Sequence, residues 1–435
     1  MSSILTVLAL LLVMVLLLIL GVPIGYTFFF VGFVGITLHL GVFQAFSLMR
    51  ETVYGETQNY LLATIPMFVL MAIVLDESGI LKDIFDAMDS WTKGVFPGGL
   101  AIGTTFANGA FAAMSGSSTA GAAAFAKIAH PNMKRFGYDD RLTMGTIAAS
   151  GTFAMMFPPS IALIIYGILT ETSIGQLFIA GMIPGILTAL AYVIIILAWV
   201  KLNPSVTGEA VETDSWSRRL ELSKPLFPAL LLIIFILGGL YFGVVTAVEA
   251  GAFGAAGAII LSVVLYDMRL DGLLRAINET LRITAFIFIV IIGAMFFSRY
   301  IAITGLVTDL IQLVTALNIG KYQLLAIIIL CYLFLGMFMN QIAILVLTLP
   351  ITYPTMVDGF GMHPLLFGIV IIKTVEIGMV TPPLGLNVYV ASSSVDIDPW
   401  VTFKGAVRFI VPDLLILILL VAFPVLVLYL PGLMF

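Results

Sequence analysis

Charge is scarce in this chain. Only 10% of its 435 residues are Asp, Glu, Lys or Arg, whereas 61% are hydrophobic and the mean hydropathy is +1.17. A water-soluble chain of this length needs far more polar surface, so the composition excludes a soluble globular protein and describes an all-α polytopic membrane protein. Cysteine is nearly absent. The single Cys331 lies in an apolar run, which excludes a disulfide within the chain and offers no metal-binding motif. Three scattered histidines, His39, His130 and His363, argue against a histidine-based metal centre. A net charge of −5 lacks the basic excess that a nucleic-acid partner requires. No charge precedes the first apolar run and no small-residue cleavage site follows it, so residues 4–20 read as a retained span.

What the chain has in abundance is repetition. Pro158-Pro159 is followed 22 residues later by Gly181, and Pro382-Pro383 is followed 22 residues later by Gly405. Gly21-Val22 matches Gly243-Val244, and Ser78-Gly79-Ile80-Leu81-Lys82-Asp83 matches Thr304-Gly305-Leu306-Val307-Thr308-Asp309. The offset stays between 222 and 226, about half the chain. A double proline in apolar sequence must break a helix. Two halves interrupted at the same place predict a transporter whose binding site lies at the interruptions.

Apolar segments fall near 4–20, 22–41, 60–77, 97–128, 142–169, 178–200, 226–242, 244–266, 284–303, 322–351, 365–394 and 407–431. The segments 97–128 and 322–351 are long and carry small or polar patches, Met114-Ser115-Gly116-Ser117-Ser118-Thr119 and Phe338-Met339-Asn340-Gln341. These two are expected to be re-entrant hairpins, because polar backbone at that depth is tolerated only inside protein or beside water. The segments 142–169 and 365–394 are the expected broken helices. Five crossings per half then remain, and an odd number inverts the second repeat (226–435) relative to the first (1–201). With the N-terminus outside, fifteen Lys and Arg fall inside, three (Arg50, Arg299, Lys321) outside, and Lys373 within a span. The polar stretch 202–225 joins the repeats as a cytoplasmic linker. Residues 42–59 and 80–94 read either as amphipathic arms along the membrane surface or as solvated connectors.

Helix ends inside a bilayer leave N–H and C=O groups unpaired. A tip of Ser115, Ser117, Ser118 and Thr119 facing Pro158-Pro159-Ser160 would gather hydroxyls and carbonyls, hard ligands suited to Na⁺. Nearby helix N-termini would favour a carboxylate. The second half offers Asn340-Gln341 facing Thr381-Pro382-Pro383 and Asn387. The expected Na⁺ ligands are Ser115, Ser117, Ser118 and Pro159 at one site and Asn340, Thr381 and Pro383 at the other. Expected substrate contacts are Ser117, Thr119, Ser160, Asn387 and Lys373. Small residues also let membrane helices pack closely, but the pairing with a double proline, twice at one offset, favours the functional reading. Lys373 and Glu376 lie on one helical face, either as a mutually neutralising pair or with Lys373 attracting an anion. Glu249 suggests either a helix cap or a packing contact between domains, and Arg299 a position at the outer interface.

These motifs resemble a known family. Ser115-Gly116-Ser117-Ser118-Thr119-Ala120, Phe157-Pro158-Pro159-Ser160 with Ile164-Ile165-Tyr166-Gly167, and Ser173-Ile174-Gly175-Gln176-Leu177-Phe178-Ile179-Ala180-Gly181 are similar to the large membrane subunit of tripartite ATP-independent periplasmic (TRAP) transporters. So is Glu376-Ile377-Gly378-Met379-Val380-Thr381-Pro382-Pro383-Leu384-Gly385-Leu386-Asn387. The resemblance covers essentially the whole chain. It departs at Gly121 and Asn340, where many relatives carry an acidic residue. It implies an elevator-type secondary transporter with a scaffold and a moving transport domain, in a bacterial inner membrane. It also implies Na⁺ coupling, a separate small four-helix membrane subunit, and a periplasmic binding protein that delivers an organic acid such as a C4-dicarboxylate or sialic acid. Rival readings are a stand-alone Na⁺/anion symporter, an intramembrane hydrolase using Ser117, and a channel. An enzyme is not expected, since no histidine is placed to activate Ser117.

Overall fold

The computed structural model describes residues 2–208 and 212–434, and every regular element among them is a helix. Three positions of the expected linker lie outside the described residues; the rest of it contains a short 3-10 turn, Pro204–Val206, and one short α-helix, Trp216–Ser223. Six described helices are long and apolar enough to cross a bilayer: Tyr60–Glu77, Ile174–Leu202, Ala247–Leu265, Leu270–Thr304, Gln341–Gly359 and Pro399–Ala422. The first two spans expected from sequence are the shorter helices Ser2–Ile19 and Ile24–Leu40, parted by Gly21 in a left-handed conformation.

The two repeats exchange matching contacts. Ile24–Leu40 packs along Leu270–Thr304, and Thr64–Glu77 packs along Ala247–Leu265. These pairings exchange places under the sequence repeat. Among apolar neighbours there is little hydrophobic force between helices, so close backbone approach through small residues must supply the cohesion. Glycines line both seams: a β-carbon on Gly25 would fall 2.6 Å from Ile289 Cγ2, and one on Gly254 would fall 2.7 Å from Met71 Sδ. A second exchanged pairing sets Asp140–Ser150 against Pro399–Ala422, and Ile174–Leu202 against Pro364–Gly378. There Gly145 and Gly405 touch backbone to backbone.

The stretches with two readings are helices. Val42–Thr57 is one arm, and Ile80–Thr92 is the other. The second arm buries Ile80, Leu81, Ile84, Phe85 and Ala87 and lies against the first hairpin, with Thr92 Oγ1 filling the space where Gly103 has no side chain. It is a packed element, not a solvated connector. Its repeat partner Leu306–Ala316 also follows a left-handed glycine, Gly305 matching Gly79. The counterpart of Val42–Thr57 has no break after it: Leu270–Thr304 runs on for 35 residues.

Candidate transport site

Each expected hairpin is two helices joined by a short turn. In the first, Gly99–Ser115 ends at Gly116, whose φ of 59° suits a residue without a β-carbon. Ser117 then takes an extended conformation and caps Ser118–Arg135, its Oγ accepting from the Ala120 amide at 3.4 Å. In the second, Lys321–Gly336 turns through residues 337–340 into Gln341–Tyr353, and Asn340 Oδ1 accepts from the Ala343 amide at 2.9 Å. Ser117 and Asn340 are 223 positions apart, so the same repeat position supplies the cap in both tips.

Both double prolines carry a cis peptide bond and interrupt a helical path. The first break runs from Asp140–Ser150 through a tight turn, Gly151–Met155, to Ile161–Leu169. Ser160 caps that last helix, and its hydroxyl also donates to the Met155 carbonyl at 2.8 Å. The second break separates Pro364–Gly378 from Leu386–Ser393, which starts at left-handed Gly385 without a side-chain cap.

Each tip meets its own break. A β-carbon on Gly116 would lie 3.0 Å from the Pro159 carbonyl oxygen, so the first tip sits directly on the first break. The Gly385 amide donates to the Met337 carbonyl at 3.0 Å, which ties the second break to the second tip. At the first tip, Asn387 of the second repeat reaches across to the first. Ser118 Oγ donates to Asn387 Oδ1 at 3.2 Å, and Asn387 Nδ2 reaches the Ala148 carbonyl at 3.4 Å.

The two tips share a cavity of about 380 Å³. Ser115, Ser117, Ser118 and Thr119 line it from the first tip, and Asn340, Gln341 and Ile342 from the second. Thr64–Glu77 closes another side with Val69, Ala72, Ile73, Asp76 and Glu77, and Leu270–Thr304 contributes Glu279, Ile283 and Ile287. The first turns of two capped helices therefore converge on one space, and their free amides and dipoles make that side electropositive without any basic side chain. The opposite side is acidic, though Glu77 is paired with Arg275 at 3.1 Å. The Gln341 side-chain oxygen is buried with no hydrogen-bond partner.

The structure brings Ser115, Ser117, Ser118, Thr119 and Asn340 together around this cavity. Ser160, Asn387 and Lys373 lie off it, each fully buried. Ser160 is occupied as a cap, and Asn387 braces the first tip from behind. Pro159, Thr381 and Pro383 lie at the breaks, with Thr381 Oγ1 donating to the Ile377 carbonyl at 2.7 Å. Lys373 pairs with Glu376 at 3.2 Å as the spacing suggests, and also with Asp413 at 2.7 Å. Asp413 was not singled out in sequence; a carboxylate inside the apolar run 407–431 is the signal that could have found it. Asp76 and Glu279 were missed for a different reason, since they join the site only through tertiary packing. Glu249 forms a capping box with Thr246, and Arg299 pairs with Glu51 at 2.9 Å.

The comparisons with known proteins agree with this architecture. The family model described as "Tripartite ATP-independent periplasmic transporter, DctM component" matches residues 11–426. A C4-dicarboxylate TRAP transporter large permease protein of Pseudomonas aeruginosa is 31% identical over 380 residues, covering 87% of this chain and 88% of that one. A sialic acid TRAP transporter large permease protein of Vibrio cholerae is 31% identical over 416 residues, 95% of each. An ectoine TRAP transporter large permease protein of Halomonas elongata is 29% identical over 397 residues, 91% of each. Among solved structures, the Alcanivorax borkumensis YdaH transporter superposes with a TM-score of 0.64 at 12% identity, covering 89% of this chain and 90% of that one, a likeness of fold. With capped tips, broken helices and a family match that spans nearly its whole length, the chain belongs to the DctM component family of tripartite ATP-independent periplasmic transporters, as a multi-pass large permease subunit.

Proposed function

We propose that this subunit takes up a carboxylate-bearing solute across a bacterial inner membrane, driven by Na⁺, with a small four-helix membrane subunit and a periplasmic binding protein as partners. The observation that carries the reading is the convergence of both hairpin tips, by their helix N-termini, on one cavity that is also walled by Thr64–Glu77 and Leu270–Thr304. A carboxylate there accepts hydrogen bonds from backbone amides of the first turns, with Ser117 and Thr119 hydroxyls completing its shell.

The oxygen atoms available suit Na⁺. The first tip and break offer the hydroxyls of Ser115, Ser117 and Ser118 and the Pro159 carbonyl, all neutral and hard. The second offers Asn340, Thr381 and the carbonyl of Pro383, with the unpartnered Gln341 oxygen beside them. A bound cation supplies positive charge that neutralises the substrate carboxylate before it leaves water. Each Na⁺ moving inward adds roughly 2.3 kcal/mol per 100 mV of membrane potential. Because the tips form one wall of the cavity and the two long helices the other, sliding of the tip-bearing body along those helices would carry the site between the two faces of the membrane, an elevator motion.

The test is uptake of labelled organic acids into proteoliposomes holding this chain and its small partner, with and without an inward Na⁺ gradient and with and without the binding protein. Uptake that requires both is the expected result. Uptake with Na⁺ alone would make the chain a stand-alone anion symporter, and product turnover without any gradient would make it an enzyme.

A further inference from the structure

Behind the first break lies a charge cluster that the transport cavity does not use. Lys373 and Glu376 on Pro364–Gly378 and Asp413 on Pro399–Ala422 have no solvent exposure. One ammonium faces two carboxylates. An uncompensated charge at zero exposure is costly, and burial of a carboxylate is tolerable only if it is paired or neutral.

The hydrogen bonds say which carboxylate is neutral. Asp413 is fully served as an anion: Lys373 Nζ donates to Oδ1 at 2.7 Å, and the Tyr192 hydroxyl of Ile174–Leu202 donates to Oδ2 at 2.7 Å. Lys373 spends its other two protons on Thr188 Oγ1 at 3.1 Å and towards Glu376 Oε2 at 3.2 Å. Thr188 can accept because its own proton goes to the Pro184 carbonyl at 2.8 Å. That leaves Glu376 Oε1, which lies 2.9 Å from Thr152 Oγ1. Thr152 has one hydroxyl proton, and the Ala149 carbonyl lies closer to it, at 2.7 Å. The same proton could serve the Glu376 carboxylate, but when it goes to the nearer Ala149 carbonyl, Thr152 offers Glu376 a lone pair. An ionised carboxylate would then set lone pair against lone pair, whereas a protonated one donates to Thr152, and Glu376 Oε2 keeps only the ion-pair contact with Lys373.

We propose that Glu376 holds a resident proton, and that the cluster is a proton-binding site linking the two repeats. Its O–H···Thr152 bond ties the second repeat's Pro364–Gly378 to the turn Gly151–Met155, which leads into Pro158-Pro159. Losing the proton releases one H⁺, leaves one uncompensated negative charge among Lys373, Glu376 and Asp413, and removes that tie. Glu376→Gln keeps the same pattern, its amide donating to Thr152 while its oxygen faces Lys373.

Infrared difference spectra of the purified protein near neutral pH test this directly and independently of any transported acid. Wild type minus E376Q is expected to show the carbonyl stretch of one protonated carboxylic acid, shifted to higher frequency in Thr152→Val, which loses the acceptor. Thermal unfolding followed upward in pH is expected to show a loss of stability in the wild type that E376Q lacks. No carboxylic acid band in the E376Q difference would overturn the assignment, as would an identical alkaline loss in both proteins. If E376Q does not fold, wild type minus T152V reads the same band through its shift, and the absence of a shift there would overturn it.

Discussion

The two hairpin tips occupy the same repeat position and are built differently. The first is a run of hydroxyls packed hard against its break: Ser115 is 7% exposed, Ser118 2% and Ser160 not at all. The second offers an exposed Asn340 between Phe338 and Gln341, and its break shows Pro383 and Leu384 at the surface. The first break helix starts at a buried serine cap, the second at a bare left-handed glycine. A duplicated architecture thus keeps the backbone solution, a capped tip touching a broken helix, while the side chains diverge. The first tip is tightly packed and position-critical, and the second is open and adaptable.

Substitutions at matched positions sharpen that contrast. The largest effect is expected for Gly116→Val. Its left-handed φ costs a branched residue roughly 1–2 kcal/mol, and the new β-carbon meets the Pro159 oxygen at 3.0 Å. Uptake should fall at least about tenfold, since 1.4 kcal/mol is already a factor of ten. Met339→Ala, at the matching position of the open tip, should change the initial rate by less than about twofold. Equal losses in both would break the comparison.

A middle-sized effect is expected at the oxygens. Ser118→Val leaves Asn387 Oδ1 buried without its donor, a cost of about 1–3 kcal/mol. Asn340→Ala removes an exposed cap at about 1 kcal/mol. Thermal unfolding in detergent should rank Ser118→Val as the more damaging, and the reverse order would place the rigid tip in the second repeat.

The smallest effect concerns the arms. Burial, opposed by the Lys93 charge, pushes the Asp89 carboxyl up to about 6 on Ile80–Thr92. Its repeat counterpart on Leu306–Ala316 is the exposed Thr315. A raised folded value means that protonation favours folding. The contribution is fully present below the ordinary aspartate range and is lost as pH rises through about 6. Asp89→Asn should therefore raise the melting temperature above that pH by about 2 °C or less, with little change in acid. A stabilisation confined to acid would contradict this sign.

Much of this was legible in the chain itself. The double prolines, the polar tips and the constant offset mark the repeats because helix breakers and hydroxyls are conspicuous in apolar sequence. The distinction between residues that face the cavity and residues that support it from behind was not legible. Ser160 and Asn387 carry the same chemistry as Ser117 and Thr119, and only packing decides that the former are spent on a cap and a brace. Lys373 read as a possible substrate anchor because its second carboxylate, Asp413, lies 40 residues away on another helix. The acidic wall of Asp76 and Glu279 belongs to helices whose mutual placement is set by glycine seams, which no local pattern announces.

The central claim is that each tip and break forms a cation site and that the two sites serve one cavity. It is tested most directly by the Na⁺ dependence of uptake in wild type, Ser118→Ala and Asn340→Ala, at saturating substrate and binding protein. The account predicts a Hill coefficient above one in the wild type that falls towards one in each variant, with the larger loss of apparent Na⁺ affinity at Ser118. A coefficient of one in the wild type, or one unchanged by either substitution, would contradict it.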